Sequence, residues 1–356
     1  MPVFGHDALH ALTRAVCVAG GSAPREAELV ADNLVQANLA GHDSHGVGLL
    51  PTYVRSLDNE SLRPNRHAEP VRDRGPILVI EGGRGYGQVI GFETMQLGMA
   101  RAAEQGAALV AIRNSFHLGR IGHWAEQCAA EGFASIHFVN GVDHPPYQAP
   151  YAGCDARFST NPFCAAVPGG RDGPPVVLDM ATSKIAFGKA RVAANAGVPV
   201  PDECLLDPEG HVSRDGAVMF RELRGAMIPF GEHKGSGLGI MCELLAGALT
   251  GGLTNQPEHS QAHGIVNNML SVIVAPDALA PRDAVRREIG AAVAWIKSSR
   301  PRPGFEEVLL PGEPERRRRD VRLADGIDID PQSWRDIRAA AVAAGVADDA
   351  IDRLVG

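Results

Sequence analysis

Near residue 75 the apolar residues of this chain change their spacing, and that change constrains the fold more than any other feature of the sequence. Before it, Leu9, Leu12 and Val16 recur at the interval of an amphipathic helix. Ala27, Val30, Leu34 and Ala37 do so again in a second stripe opening at Pro24. Residues 46 to 57 predict a third helix with Pro51 near its start, and the polar, proline-marked residues 59 to 70 read as a connection. After it, Ile77-Leu78-Val79-Ile80 is a short apolar run closed by glycine clusters, the pattern of a strand. Further strands are predicted at 108–112, 133–139, 163–167, 176–178 and 270–274. Helices are predicted around Phe92 to Ala102, over 121–131 and along Leu238, Met241, Leu245 and Leu249. A last helix carries Trp334, Ile337 and Ala341, and the charge run from Glu315 to Asp320 reads as a solvated turn. The chain is thus a mixed sheet unit flanked by helices at both ends.

Bulk properties narrow the function. The 356 residues suffice for two domains. With 34 basic against 42 acidic residues the net charge is −8, which argues against a nucleic-acid binder. An anionic substrate must find a local positive pocket rather than a global field. No apolar run approaches the ~20 residues that span a bilayer. The start, Met1 to Asp7, lacks the basic and apolar regions of a signal peptide. Six scattered cysteines without a Cys-x-x-Cys pair read as reduced, structural thiols, so a cytoplasmic protein is expected.

Polar residues gather at the element junctions. Gly41-His42-Asp43-Ser44-His45-Gly46-Val47 lies where one helix ends and another begins; Asp43 or Ser44 can cap, and two imidazoles stand beside them. The segment Arg113 to His123, with His117, Arg120 and His123, follows directly on a strand, where side chains are held rigidly yet exposed. A histidine there is suited to moving protons near neutral pH, or simply satisfies local backbone. Phe158 to Phe163 and Leu178 to Lys184 set hydroxyls and amides at strand edges, as anion contacts or as ordinary turns. In Phe230 to Gly239, Lys234, a helix start and three glycines favour an anion such as pyrophosphate, with close helix packing as the other use. Neither glycine-rich stretch has the spacing G-x-G-x-x-G, and neither a Gly-x-Ser-x-Gly elbow nor a P-loop is present.

Residues 41–48 and 114–128, Thr160-Asn161-Pro162-Phe163, the segment 178–189, Glu232-His233-Lys234-Gly235 and Leu310-Pro311-Gly312-Glu313 carry a resemblance. Together they resemble the malate/L-lactate dehydrogenase family of the non-Rossmann, sulfolactate-dehydrogenase-like type, nearest its hydroxycarboxylate dehydrogenase branch. The resemblance spans nearly the whole chain. It implies an α+β (mixed α/β) fold with a largely antiparallel mixed sheet and a helical domain built from both chain ends. The helical domain would take residues 1–70 and 276–356, and the cofactor-binding sheet domain 71–275. It further implies a homodimer that uses NAD or NADP to transfer a hydride between nicotinamide and a 2-hydroxy/2-oxo carboxylic acid. Acid/base work falls to His45 or His117, with Ser44 positioning the oxygen and Asp43 or Asp143 orienting an imidazole. Cofactor contacts fall on Thr160, Asn161, Asp179, Met180, Ala181, Thr182, Ser183, Lys184, Ile185, Lys234, Gly235 and the turn Pro311-Gly312-Glu313.

One departure concerns the substrate. Many relatives carry arginine four residues after the first motif's histidine, where this chain has Leu49. Arg120 or Arg55 is then expected to hold the carboxylate, and Leu49 to touch a bulkier, even aromatic, side chain. Two other activities fit the same residues. One is reduction of a cyclic imino acid of the Δ1-piperideine-2-carboxylate type, or of sulfopyruvate. The other is a metal-dependent hydrolase or lyase with His42, Asp43, His45 and His117 as ligands, although that spacing matches no familiar zinc pattern and no metal is expected.

Overall fold

The computed structural model describes residues 1–171, 173–259 and 264–356. Strand β1 (Val3–Phe4) precedes helices α1 (His6–Ala19), α2 (Pro24–Leu39) and α3 (Leu50–Asp58). The sheet unit follows as β2 (Glu69–Arg74), β3 (Ile77–Glu81), α4 (Gly87–Gln105), β4 (Ala107–Phe116), α5 (Gly122–Ala130), β5 (Ala134–Val142), β6 (Phe163–Val167) and β7 (Val176–Met180). Next come α6 (Phe187–Ala196), the short strands β8 (Leu205–Leu206), β9 (Val212–Ser213) and β10 (Ala226–Met227), then α7 (His233–Cys242) and β11 (Val266–Val274). The chain ends with α8 (Arg282–Lys297), α9 (Glu313–Asp325), β12 (Ile327–Asp328), α10 (Pro331–Ala343) and α11 (Asp348–Val355).

The helical stripes of the N-terminal segment are what folds it. Leu9, Leu12, Val16, Ala27, Val30 and Leu34 are all buried, and each large side chain so removed from water contributes ~1.5–3 kcal/mol. Their partners come from the far end of the chain: Ile327, Ile329, Ile337, Ala341 and Ile351 close the same core. The antiparallel pair β1–β12 ties the two ends together.

A second core lies on the seven-stranded sheet, ordered β2-β3-β4-β11-β5-β6-β7. Every pairing is antiparallel except β3–β4, the one pair joined by a crossover helix, α4, as a parallel connection requires. Met95, Met99, Trp124 and Cys128 from α4 and α5 cover Val110, Ile112, Met269 and Ile273 of the central strands. A third, smaller core joins α6 to the β8–β10 ribbon. The sheet is therefore mixed and largely antiparallel, without a Rossmann order.

Several expectations from sequence need correcting. Strand β2 lies partly in the segment read as a connection; it is an edge strand exposed at every residue, so no apolar alternation marks it. Strand β4 runs to Phe116, so Arg113 to Phe116 belong to the strand and only His117 onward is loop. The charge run from 315 to 320 lies inside α9, a helix whose one buried residue is Arg322. Helix α3 begins at Leu50, after two single 3₁₀ turns over Asp43–His45 and Val47–Leu49. The Leu238 stripe runs through α7 into a π-helical turn at Glu243–Ala248, and this leaves Met241, Leu244 and Leu249 exposed.

Candidate active site

The end of β4 and the turn before α3 meet beside the start of α4. Gly87, the first residue of α4, permits this contact: a Cβ there would sit 2.2 Å from the carbonyl oxygen of His117. The glycine cluster at 82–87 thus serves backbone approach to the 114–118 segment rather than a phosphate. Strand β4 carries His117 out of the sheet. The Asp43–His45 turn carries His45 across from it, and the two rings stack with centroids 5.5 Å apart. Behind the turn, Gly188 at the head of α6 lies where a Cβ would come 2.6 Å from Cβ of Ser44, so α6 presses on the same turn.

Burial and crowding set the protonation of this pair. Burial pulls His117 down to about 3, aided by the nearby His45 and His144. Burial likewise pulls His45 down to about 4, with His42 and Arg120 adding in the same direction. Both rings are neutral at physiological pH. Nδ1 of His45 lies 2.9 Å from the Ser44 hydroxyl, and Nδ1 of His117 lies 2.8 Å from the Tyr53 hydroxyl. The Tyr53 oxygen also accepts the Gln88 side-chain amide at 2.8 Å. His144, buried and held below its usual range by desolvation, stacks on Tyr147, which stacks in turn on Phe187. An aromatic row thus leads away from the imidazoles.

Neither aspartate expected to orient an imidazole does so. Asp43 accepts from Asn38 at 2.7 Å and takes a two-pronged contact from Arg322 at 2.7 and 3.0 Å. It braces the turn from behind, and neither it nor Ser44 caps a helix; the residue before the turn, His42, makes no capping hydrogen bond either. Asp143 pairs with Arg84 at 2.8 Å. Arg120 is 3% exposed and pairs with Glu126 and, at 3.8 Å, with Asp179. Two carboxylates already answer its charge. Arg55 is exposed on α3 and donates to Thr52. Leu49 packs in the helical core at 9% exposure.

The residues expected to contact a cofactor fall into two places. Thr160, Thr182 and Phe230 are laced together: the Thr182 amide and hydroxyl both donate to the Thr160 carbonyl at 2.9 Å, and the Phe230 amide donates to the Thr182 carbonyl at 3.0 Å. Asn161, at φ +29°, donates to the Gly239 carbonyl and to Glu243, while its buried Oδ1 has no partner among the described residues. Lys184 reaches Glu203 at 3.0 Å, and the Ser183 hydroxyl donates to the Ile185 carbonyl. Lys234 is exposed at the head of α7, beside Gly235. Asp179, Met180 and Ala181 end β7 and lead into this group, and Asp179, buried with its carboxyl pushed up by desolvation, joins it to Arg120. The Pro311-Gly312-Glu313 turn sits on the outer edge instead, where the Val177 amide donates to the Pro311 carbonyl. Glu313 there is held by Lys297 at 2.6 Å and by the Leu310 amide at 2.8 Å.

The family model for malate/L-lactate dehydrogenase matches residues 4–338. The chain belongs to that family. Among its relatives, hydroxycarboxylate dehydrogenase B of Escherichia coli (strain K12) is 45% identical over 98% of this chain and 96% of its own. An L-lactate dehydrogenase of Cupriavidus necator is 39% identical over 90% of this chain and 92% of its own. The solved sulfolactate dehydrogenase of Methanocaldococcus jannaschii superposes with a TM-score of 0.86 at 29% identity, covering 98% of this chain and 99% of that one.

Within this family member the metal reading finds no site. His42 faces Glu315 at 3.5 Å and Asp43 is committed to Arg322, so two of the four proposed ligands are engaged elsewhere. Among the described residues the one converging set is His10, Glu28 and Asp32, on the surface of α1 and α2 and already engaged with Arg14. Sequence reading also missed residues. Tyr53 reads as one more apolar member of a helix stripe, Gln88 as a polar helix residue, and His144 as part of a proline-rich loop; only the tertiary fold brings them to His117.

Proposed function

We propose that the chain is an NAD(P)-dependent 2-hydroxycarboxylate dehydrogenase whose acid/base group is drawn from His45 and His117. The observation that carries this reading is the pair of neutral, stacked imidazoles, His117 buried and His45 half-buried, facing each other at the mouth of β4. Desolvation disfavours either imidazolium, and two of them 5.5 Å apart would also oppose each other, so both rings rest neutral. An anionic substrate reverses that balance, because its carboxylate favours the charged ring. One proton is then taken up with the substrate and stands ready for the developing alkoxide. In the opposite direction the neutral ring is the base. Ser44 positions the oxygen.

A nicotinamide cofactor, when bound, supplies or accepts the hydride. The donor set around Thr160, Asn161, Thr182, Ser183 and Lys234 fits such a group. It offers an orphaned amide oxygen, hydroxyls and an exposed cation beside a glycine-rich turn. Arg120 is answered by Glu126 and Asp179 and Arg84 by Asp143 at 2.8 Å, so a substrate carboxylate would share one of these cations with the carboxylates already on it. The row of His144, Tyr147 and Phe187 supports a substrate with a flat apolar side chain. Assembly as a homodimer is supported by the exposed apolar face of Met241, Leu244, Leu249 and Leu253, and a cytoplasmic location by the six free cysteines. No helix among the described residues is long and apolar enough to cross a membrane.

The test is oxidation of NADH and of NADPH, followed by absorbance, with pyruvate, oxaloacetate, phenylpyruvate, hydroxyphenylpyruvate, sulfopyruvate and Δ1-piperideine-2-carboxylate. Turnover of 2-oxo acids, fastest with the aromatic ones, is the expected result. Turnover of the cyclic imine alone, or of nothing, refutes the proposal.

A further inference from the structure

His117 and His45 are not equivalent in how they are held. The ring of His117 is fastened through Nδ1, by a hydroxyl that is itself fastened from behind. Gln88 lies in the first turn of α4, on the helix that Gly87 allows against the His117 backbone. Its side-chain N–H donates to the Tyr53 oxygen at 2.8 Å. With that lone pair occupied, the Tyr53 hydroxyl proton points along the other short contact, 2.8 Å to His117 Nδ1. An Nδ1 that accepts a proton places the single hydrogen of the neutral ring on Nε2.

We infer that Tyr53 and Gln88 are positioning residues that hold His117 as its Nε2–H tautomer, with Nε2 left to meet the substrate oxygen. The inference rests on the proposed dehydrogenase reading and deepens it, because it divides the roles: the neutral Nε2–H of His117 donates a hydrogen bond to the carbonyl oxygen, and His45 carries the proton that is transferred. His45 has no such second support among the described residues: its Nδ1 meets the hydroxyl of its neighbour Ser44.

A second observation sets this chain of groups apart from ordinary packing. Tyr53 and Gln88 are each 1% exposed, inside the core that closes the helical layer. Leucine or phenylalanine would fill these positions without leaving polar atoms to satisfy. Instead, Gln88 Oε1 and both polar atoms of Asn33 are buried there with no partner among the described residues. Unmet groups of this kind are costly, so a core built for stability alone would not contain them. The charged and titratable groups facing His117 are His45 from the turn before α3, His144 from the loop after β5 and Tyr53 from α3. None is a carboxylate. Burial holds Tyr53 well above the usual tyrosine range, so it passes orientation to the ring without giving up its own proton.

The test uses the full chain as wild type, Tyr53→Phe and Gln88→Leu, with ¹⁵N-labelled histidine and His117→Gln to assign the ring signals. Two readouts are taken: the His117 tautomer by ¹⁵N shifts without substrate, and kcat and KM for the 2-oxo acid that turns over fastest. The wild-type ring should show a bare Nδ1 and a protonated Nε2, and Tyr53→Phe should turn it into a tautomer mixture. Tyr53→Phe and Gln88→Leu should each lower kcat roughly tenfold or more, with KM changed less than about threefold and the pH profile of kcat displaced. A wild-type ring protonated on Nδ1, or a tautomer indifferent to Tyr53→Phe, overturns the inference. The tautomer readout needs no turnover, so an enzyme inactive on every 2-oxo acid would sink the functional reading and leave this one to be judged by NMR alone. If Tyr53→Phe does not fold, Gln88→Leu carries both readouts.

Discussion

Two buried histidines, one within a strand and one just past the end of another, show what separates a site from a core. His137, on β5, is 0% exposed and pulled down to about 3 by desolvation, just as His117 is at the end of β4. Yet His137 is closed: Nδ1 meets the Ser271 hydroxyl at 2.8 Å and Nε2 meets that of Ser135 at 2.9 Å. Among the described residues His117 is held at one nitrogen only, at a strand end, against a second imidazole. Burial and basicity are alike in the two, so neither marks function. The uncommitted nitrogen does.

The contrast can be broken by substitution. The largest effect should come from the partner ring: His45→Gln should lower turnover by about 10²-fold or more while the melting temperature stays near wild type, checked by steady-state kinetics beside thermal unfolding. Wild-type turnover in that variant would remove His45 from the chemistry and leave the stacked pair without meaning. His137→Leu should do the reverse. It leaves two buried serine hydroxyls unanswered and should cost about 2–4 kcal/mol in denaturant unfolding, with turnover per folded molecule unchanged. A loss of turnover at intact stability would dissolve the distinction between the two regions.

A smaller and more general effect is acid lability. His45, His117, His123 and His137 all have native pKa values of about 3 to 4, below the ordinary 6.5. The native state thus refuses protons that the unfolded chain accepts. Their contribution to stability is complete above pH 6.5 and is lost as pH falls toward 4, at up to about 1.4 kcal/mol per pH unit for each ring. The melting temperature should fall steadily from pH 7 to pH 5, and less steeply in His137→Leu. A flat profile over that window would show that the rings are solvated rather than buried.

Much of the fold was legible because burial leaves a period in the sequence. The stripes of α1 and α2 and the runs of β3, β4, β5 and β6 are places where one physical cause, removal of apolar surface, decides the structure. Strand β2 and helix α9 were not legible because they bury almost nothing: Glu-Pro-Val-Arg-Asp-Arg pairs as an edge by backbone alone, and α9 buries only Arg322. The junctions that make up the candidate site were legible to the same degree. Ser44, His45 and His117 stand out as polar residues at junctions that should be apolar or plain. Arg322 could not be seen, since it clamps Asp43 across 279 positions of chain. Nor could Tyr53 and Gln88, whose polar ends are buried inside a pattern that reads as packing. For Arg120 the sequence shows a cation near a histidine but not the two carboxylates that pair with it.

The measurement that tests this account most directly is the turnover of His117→Gln on the best 2-oxo acid, at saturating cofactor, beside its unfolding curve. The account predicts a fall of about 10²-fold or more in kcat with the fold intact, because the imidazole held at Nδ1 by Tyr53, with Nε2 left to meet the substrate, has been removed. Wild-type turnover in that variant would contradict it.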